Sequence, residues 1–288
     1  MSGTQKLSVA LVQMRSGREV DANLAAAETL VREAAAGGAR YVQTPENTGI
    51  MELDRERLRA SVAPFETDRG IARFRRLAAE LAICLHIGSM AFRGLDGDRL
   101  LNRSVLIGPD GEILATYDKI HMFDVDLPSG ESYRESRNFA PGSEAVVAHL
   151  GGVGLGLSIC YDLRFPALYR TLAKAGAGIL AVPSAFTRQT GEAHWQVLLR
   201  ARAIETGSFV LAAAQGGRHE NGRETYGHSL VVDPWGEVIA ETGTEPGVIH
   251  AELDLARIAD ARGRIPALAH DRAFAPMPAS PTLARQAS

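Results

Sequence analysis

Three side chains in this sequence could together carry out nucleophilic chemistry: Cys160, Glu46 and Lys119. Cys160 closes the apolar run 154–159 and is followed at once by polar Tyr161-Asp162, then by Arg164 and by a helical stretch that opens on Pro166. Proline is expected in a first helical turn, where its missing N–H is not needed. A cysteine between a strand end and a helix start faces unpaired N–H groups and the positive end of the helix dipole, which favour the thiolate. Its pKa is therefore expected to fall. Position alone leaves Cys160 equally open as a nucleophile or as a core residue. Glu46 follows the run 41–44 and Pro45, and Lys119 ends the run 113–118; alone, each reads as an exposed loop charge. As a set the three are workable. A carboxylate takes the thiol proton and later activates water, while an ammonium holds the thiolate and a developing oxyanion.

The remaining reactive residues point elsewhere. Cys84 lies inside the unbroken apolar run 81–85 and reads as core, since free cysteine is among the most buried residue types. Two cysteines without Cys-x-x-Cys or Cys/His spacing give neither a disulfide framework nor a metal site, so no metal is expected. The glycine-rich run 151–156 precedes a strand, whereas a dinucleotide loop follows a strand and opens a helix; it reads as a turn, and no cofactor is expected. His121 and His228 read as polar supports, and His194-Trp195 opens a helix whose apolar spacing also suits plain packing.

Alternating patterns must position these residues. Strand-like runs at 7–14, 40–44 and 83–92 alternate with helical ones at 23–36 and 69–81, the order of βαβ units around a buried sheet. Two more strands meet at the turn Gly108-Pro109-Asp110-Gly111 and end near Lys119. After a polar loop at 123–142 the same order restarts, with strands at 153–159, 179–183 and 209–214, helices at 166–175 and 192–205, and a second hairpin at Pro234-Trp235-Gly236. The hairpins superpose at a constant offset (Ser104 on Ser229, Pro109 on Pro234, Gly111 on Gly236, Glu112 on Glu237), which reads as internal duplication. The expected fold class is α/β: a four-layer α-β-β-α sandwich of two stacked mixed sheets. No linker separates the halves, so a single domain over 1–273 is expected, followed by an extended or disordered tail at 274–288 rich in proline.

Composition narrows the function classes. The chain has 288 residues, 45% hydrophobic and 23% charged, near globular averages, so it can bury a real core. Its net charge of −3 and the lack of long like-charge blocks give no sign of nucleic acid or an anionic membrane as partner. The basic runs 55–59 and 69–76 read as solvated helix faces. No stretch approaches the ~18–20 apolar residues of a membrane span and no signal peptide is visible, so a cytoplasmic protein is expected.

Three segments carry a resemblance. Thr44-Pro45-Glu46, the run from Tyr117-Asp118-Lys119 to Asp124, and Ser158-Ile159-Cys160-Tyr161-Asp162-Leu163-Arg164-Phe165-Pro166 are similar, in order and spacing, to the catalytic motifs of the nitrilase superfamily of carbon–nitrogen hydrolases. The likeness runs from about Val9 to Leu255. It implies an α-β-β-α sandwich that usually dimerises, with Glu46 as general base, Lys119 as oxyanion stabiliser, Cys160 as nucleophile and the Tyr161 backbone N–H as second oxyanion donor. Glu135, shortly before Phe139-Ala140-Pro141-Gly142, fits a further family glutamate that positions the substrate amide and Lys119.

Tyr161-Asp162 stands where nitrilases proper usually carry Trp-Glu, so amide rather than nitrile chemistry is expected. The run from Pro183 to Trp195 resembles the branch containing deaminated glutathione amidase and omega-amidase, and the segments 212–220 and 226–229 resemble the deaminated glutathione amidase side more. The implied reaction is hydrolysis of a small 2-oxo carboxamide to acid and ammonia through a Cys thioester, a metabolite repair. Alternatives are omega-amidase action on 2-oxoglutaramate, a general aliphatic amidase, or a non-enzyme binding or redox-sensing module. Phe186 and His194 are expected substrate contacts. Arg164 or Arg188 is expected to grip a substrate carboxylate, because a guanidinium binds one bidentately; Arg188 departs from the small or apolar residue more usual there.

Overall fold

A computed structural model describes residues 6–94, 99–128 and 130–276. The first half runs β1 (Lys6–Gln13), α1 (Val20–Ala36), β2 (Tyr41–Gln43), α2 (Arg55–Ser61), α3 (Arg69–Leu81), β3 (Cys84–Arg93), β4 (Leu100–Ile107) and β5 (Ile113–Asp118). The ribbon β6 (Asp124–Asp126) and β7 (Ser132–Arg134) follows. The second half runs β8 (Val147–Leu150), β9 (Val153–Leu157), α4 (Pro166–Lys174), β10 (Ala177–Ala181), α5 (Arg188–Thr206) and β11 (Phe209–Ala212). It continues with β12 (Gly216–Arg218), β13 (Glu224–Tyr226), β14 (Leu230–Val232), β15 (Val238–Glu241), β16 (Gly247–Asp254) and α6 (Ala256–Arg264).

Two six-stranded mixed sheets form, in the orders β16-β1-β2-β3-β4-β5 and β8-β9-β10-β11-β14-β15. Read in these directions the sheets correspond strand for strand, and α1 and α3 occupy the same connections as α4 and α5. This is the expected duplication and four-layer sandwich. One exchange departs from a sheet per half: β16, from the end of the chain, pairs antiparallel with β1 in the first sheet. That pairing joins segments about the whole chain apart, so no local pattern announces it.

The period-two alternation of a strand sorts the core. On β1, Val9 and Leu11 join the core between the sheets, while Ala10 and Val12 join the core beneath α1 and α3. Trp195 and Leu199 of α5, with Tyr169 and Leu172 of α4, cover the other sheet. α5 starts at Arg188, earlier than the periodicity places it, because the Thr187 side chain accepts from the Thr190 N–H and caps it there. The polar loop at 123–142 holds the β6–β7 ribbon and a 3-10 turn, Glu135–Arg137, elements too short for periodicity to register. Cys84 opens β3 half-buried against the core. Of the expected tail, residues 274–276 are exposed and irregular, and 277–288 lie outside the described residues. Among the described residues no helix is long and apolar enough to cross a membrane.

Candidate active site

Three strand ends deliver the charged residues to one place. Past β2, the Thr44 N–H continues the sheet by donating to the His86 carbonyl at 2.9 Å, and Pro45 then turns the chain. Asn47 takes a positive φ of 58° directly after Glu46, and its N–H is held by Ser89 Oγ at 3.1 Å. Lys119 follows β5; its N–H donates to the Asn102 carbonyl at 3.0 Å and its own carbonyl accepts from Gly142 at 2.8 Å. Cys160 begins a 3-10 turn, Cys160–Arg164, directly after β9, with φ at 51° and its N–H donated to Pro183 at 2.9 Å. A non-glycine residue in the left-handed region is strained and persists only where its surroundings hold it. Gly88 lets these segments meet, since a Cβ there would lie 2.1 Å from the Thr44 carbonyl and 2.4 Å from Pro183 Cβ.

The side chains form one buried network. Lys119 Nζ donates to Glu46 Oε1 at 2.9 Å and to Glu135 at 3.0 and 2.9 Å. Asn102 Nδ2 bridges the same two carboxylates, at 3.0 Å to Glu46 and 3.2 Å to Glu135. The Phe123 N–H adds a 2.7 Å bond to Glu135. The Cys160 sulfur sits within the electrostatic reach of both the Glu46 carboxylate and the Ala185 N–H.

Electrostatics then fix the resting charges. Burial works to raise the Glu46 pKa, but the Lys119 charge and hydrogen bond, aided by Cys160 and Arg223, hold it below the ordinary carboxylate value. Burial likewise opposes the Lys119 ammonium, yet Glu135 and Glu46 raise its pKa above the usual lysine value. Cys160 goes the other way from the sequence expectation. Burial and the Glu46 charge raise its thiol well above the ordinary value, and Lys119 and the Ala185 N–H do not offset them. The favourable N–H groups of a helix start are outweighed here by the loss of water and a facing carboxylate. The resting trio is therefore carboxylate, ammonium and neutral thiol.

A second network binds the cysteine turn to the lysine strand. The fully buried Asp162 accepts from Tyr117 Oη at 2.6 Å, the Ile159 N–H at 2.9 Å and the His121 N–H at 3.0 Å, and His121 Nδ1 lies 2.7 Å away. His121 stacks on Phe165 at 3.5 Å. Tyr117 and His121 flank Lys119, so this carboxylate fixes Lys119 relative to Cys160.

Glu46, Lys119, Glu135, Cys160, Tyr161, Arg164 and Phe186 all line one cavity of about 890 Å³, room for a metabolite rather than a bare amide. Arg188 and His194 stand outside it. Arg188 is 64% exposed, drawn along the outside of α5 by Glu192 at 2.9 Å and Glu224 at 3.5 Å. His194 is exposed on α5 and reaches the site only through Arg164, whose Nη1 lies 3.3 Å from its Nδ1. Their helical positions carry both outward, so neither is brought to the cavity wall with the other expected residues. Sequence reading passed over Asn102, Asp162 and Arg223. Asn102-Arg103-Ser104 is a polar break in an otherwise apolar strand, a usable signal; Asp162, two residues after Cys160, carries no local sign of its role. Among the described residues no group of three His, Cys, Asp or Glu could hold a metal ion.

Comparison with known proteins agrees with this geometry. The family model described as carbon-nitrogen hydrolase matches residues 8–263. A deaminated glutathione amidase of Synechocystis is 40% identical over 265 residues, covering 91% of this chain and 96% of that protein. An omega-amidase of Danio rerio is 36% identical, covering 91% and 93% of the two chains. The crystal structure of Saccharomyces cerevisiae Nit3, a member of branch 10 of the nitrilase superfamily, superposes with a TM-score of 0.82 at 30% identity, over 91% of this chain and 95% of that one.

Proposed function

The chain belongs to the carbon–nitrogen hydrolase family and hydrolyses amide bonds, and from that premise we propose that Cys160 is its nucleophile, Glu46 its general base, Lys119 with the Tyr161 N–H its oxyanion donors, and Glu135 the residue that positions Lys119 and the substrate amide. The observation that carries this is the Glu46 carboxylate, held by Lys119 Nζ at 2.9 Å and close enough to Cys160 to raise the pKa of its thiol, with all three residues on the wall of one cavity.

The thiol proton passes to Glu46 as sulfur attacks the amide carbon, so a neutral resting thiol suits the step. The oxyanion collects at Lys119 and the Tyr161 N–H. Glu46 then gives its proton to the departing nitrogen, which leaves as ammonia from a primary amide and as a peptide amine from a glutathione-derived one. Water, deprotonated by Glu46, opens the thioester to the acid and the thiol. A redox sensor would need an exposed, low-pKa thiol; the raised, buried Cys160 speaks against that reading.

The substrate proposed is a 2-oxo amide of the deaminated-glutathione type, with Arg164 meeting a carboxylate and Phe186 packing the chain. The support is the similarity to deaminated glutathione amidases, together with the cavity's size. Omega-amidase action on 2-oxoglutaramate is the second reading, favoured by the zebrafish relative. A homodimer is proposed as well, supported by the exposed Val197, Ile204 and Trp235. Two free thiols fit a reducing, cytoplasmic setting. A single domain over 1–273 is supported by a core that draws on both sheets.

Measuring turnover on deaminated glutathione, 2-oxoglutaramate, aliphatic amides and N-carbamoyl compounds, with Cys160→Ala as control, decides among these. The highest kcat/KM is expected on deaminated glutathione. A preference for 2-oxoglutaramate moves the assignment to the second reading, and undiminished activity in Cys160→Ala ends it.

A further inference from the structure

We infer that Arg223 forms a second anion subsite in the cavity, distinct from Arg164, and that it takes a planar carboxylate of the substrate. This rests on the amidase reading and extends it: a substrate that fills both subsites carries two carboxylates.

The backbone around Arg223 is pinned. Its N–H donates to Asn221 Oδ1 at 3.0 Å, its carbonyl accepts from His219 at 2.8 Å, and Asn221 Nδ2 ties the turn to the Met51 carbonyl at 3.0 Å. His219 in turn is fixed by the Ser16 carbonyl at 2.9 Å and Thr225 Oγ1 at 2.7 Å. The guanidinium reaches into the cavity wall over the Tyr133 ring, 5.2 Å from its centroid.

What this guanidinium lacks is an anion in hydrogen-bonding contact, since its charge reaches Glu46 without an ion pair. Its Nη2 donates to the Ala185 carbonyl, its Nη1 meets only the Met51 sulfur at 3.9 Å, and its Nε is buried without a partner. Among the described residues no carboxylate forms an ion pair with it, whereas Arg134 in the same wall is committed to Asp126 at 2.8 Å. A cation drawn out of water is ordinarily paired, and an unpaired buried donor is costly. A pre-set guanidinium with free donors suits a carboxylate, which it grips in a two-point fork. Met51 is the neighbour that could yield, because methionine is unbranched and adaptable. The position is also chemically relevant: Ala185, whose carbonyl holds Arg223, lines the same cavity as Cys160. Arg164 lies on the neighbouring side, its guanidinium 5.3 Å from the Phe186 ring centre. The two cations thus bracket the Ala185-Phe186 segment beside the nucleophile.

The test uses three N-(2-oxoglutaryl)glycine-type amides: both carboxylates free, and each blocked in turn as a neutral amide. In the wild-type protein, blocking either carboxylate is expected to raise KM. In Arg223→Gln, KM for the doubly free substrate is expected to rise about 10- to 100-fold, the worth of a charge-assisted contact. KM should also become insensitive to blocking one particular carboxylate, with Arg164→Gln insensitive to the other. Arg223→Lys keeps the charge without the fork and should fall between; it carries the same comparison if Arg223→Gln fails to fold. An equal fall in kcat on all three substrates with KM unchanged would overturn the subsite and make Arg223 a support for Glu46 or the Ala185 loop. Wild-type turnover indifferent to both carboxylates also overturns it while leaving the amidase reading intact; absence of any amide hydrolysis is the failure of that reading instead.

Discussion

Lys119 Nζ lies 2.9 Å from Glu46 Oε1, and both side chains are almost wholly shielded from water. Glu135 completes the arrangement at 2.9 Å, so one ammonium serves two carboxylates. Ions this deep are held by one another, and removing one strands the rest.

Lys119→Met is accordingly expected to reduce stability by about 3–5 kcal/mol and, on the proposed role as oxyanion donor, turnover by ~10²–10³. Urea unfolding and kcat measure the two separately. A variant with wild-type turnover would remove Lys119 from the oxyanion role.

The ionisation pattern sets a pH profile. Glu46 is held below the ordinary carboxylate pKa, so it keeps its charge through the neutral range and into mild acid. The Lys119 and Cys160 values are raised, so neither loses its proton in the neutral range. kcat/KM is expected to be level from about pH 6 to 9 on these groups, and alkylation of free enzyme by iodoacetamide to be slow at pH 7. An alkylation rate that saturates below pH 7 would show a thiolate and contradict the assigned resting state.

Asp162→Ala leaves the Tyr117 hydroxyl and the Ile159 and His121 N–H groups without their acceptor. Each unsatisfied buried donor costs about 1–3 kcal/mol. Because the Cys160 turn and the Lys119 strand are tied through this one carboxylate, kcat is expected to fall more than KM rises. Asp162→Glu, with its charge kept, should recover part of kcat; equal losses in both variants without a kcat effect would make the role purely structural.

Gly88→Ala forces a methyl group against the Thr44 carbonyl and Pro183. Overpacking of this kind costs about 1–3 kcal/mol, and here it separates the segments that carry Glu46 and abut Cys160. Lower thermal stability together with reduced kcat is expected, and unchanged kinetics would show that the segments need not approach so closely.

Much of the fold was legible because buried strands and amphipathic helices leave periodic traces. The range of α3 matches its pattern, and the repeated hairpins at Pro109 and Pro234 correspond to the paired strands β4–β5 and β14–β15. Short elements left no such trace. β8 has four residues and closes on Gly151 and Gly152, both at positive φ, and the β12–β13 ribbon that carries Arg223 into the wall is three residues a side.

The sequence by itself determined the candidate residues and their order: a thiol after one strand, a carboxylate and an ammonium after two others, with matching elements around them. Only the tertiary structure decided their charge states and their company. Asn102 meets Glu46 across 56 positions of chain, and Arg188 turns outward while Arg223 turns in. Local composition sets propensity, but a pKa depends on burial and on charges a few ångströms away. For that reason burial and the Glu46 carboxylate push the Cys160 thiol toward its neutral form, where its own neighbourhood in the chain pointed to a thiolate.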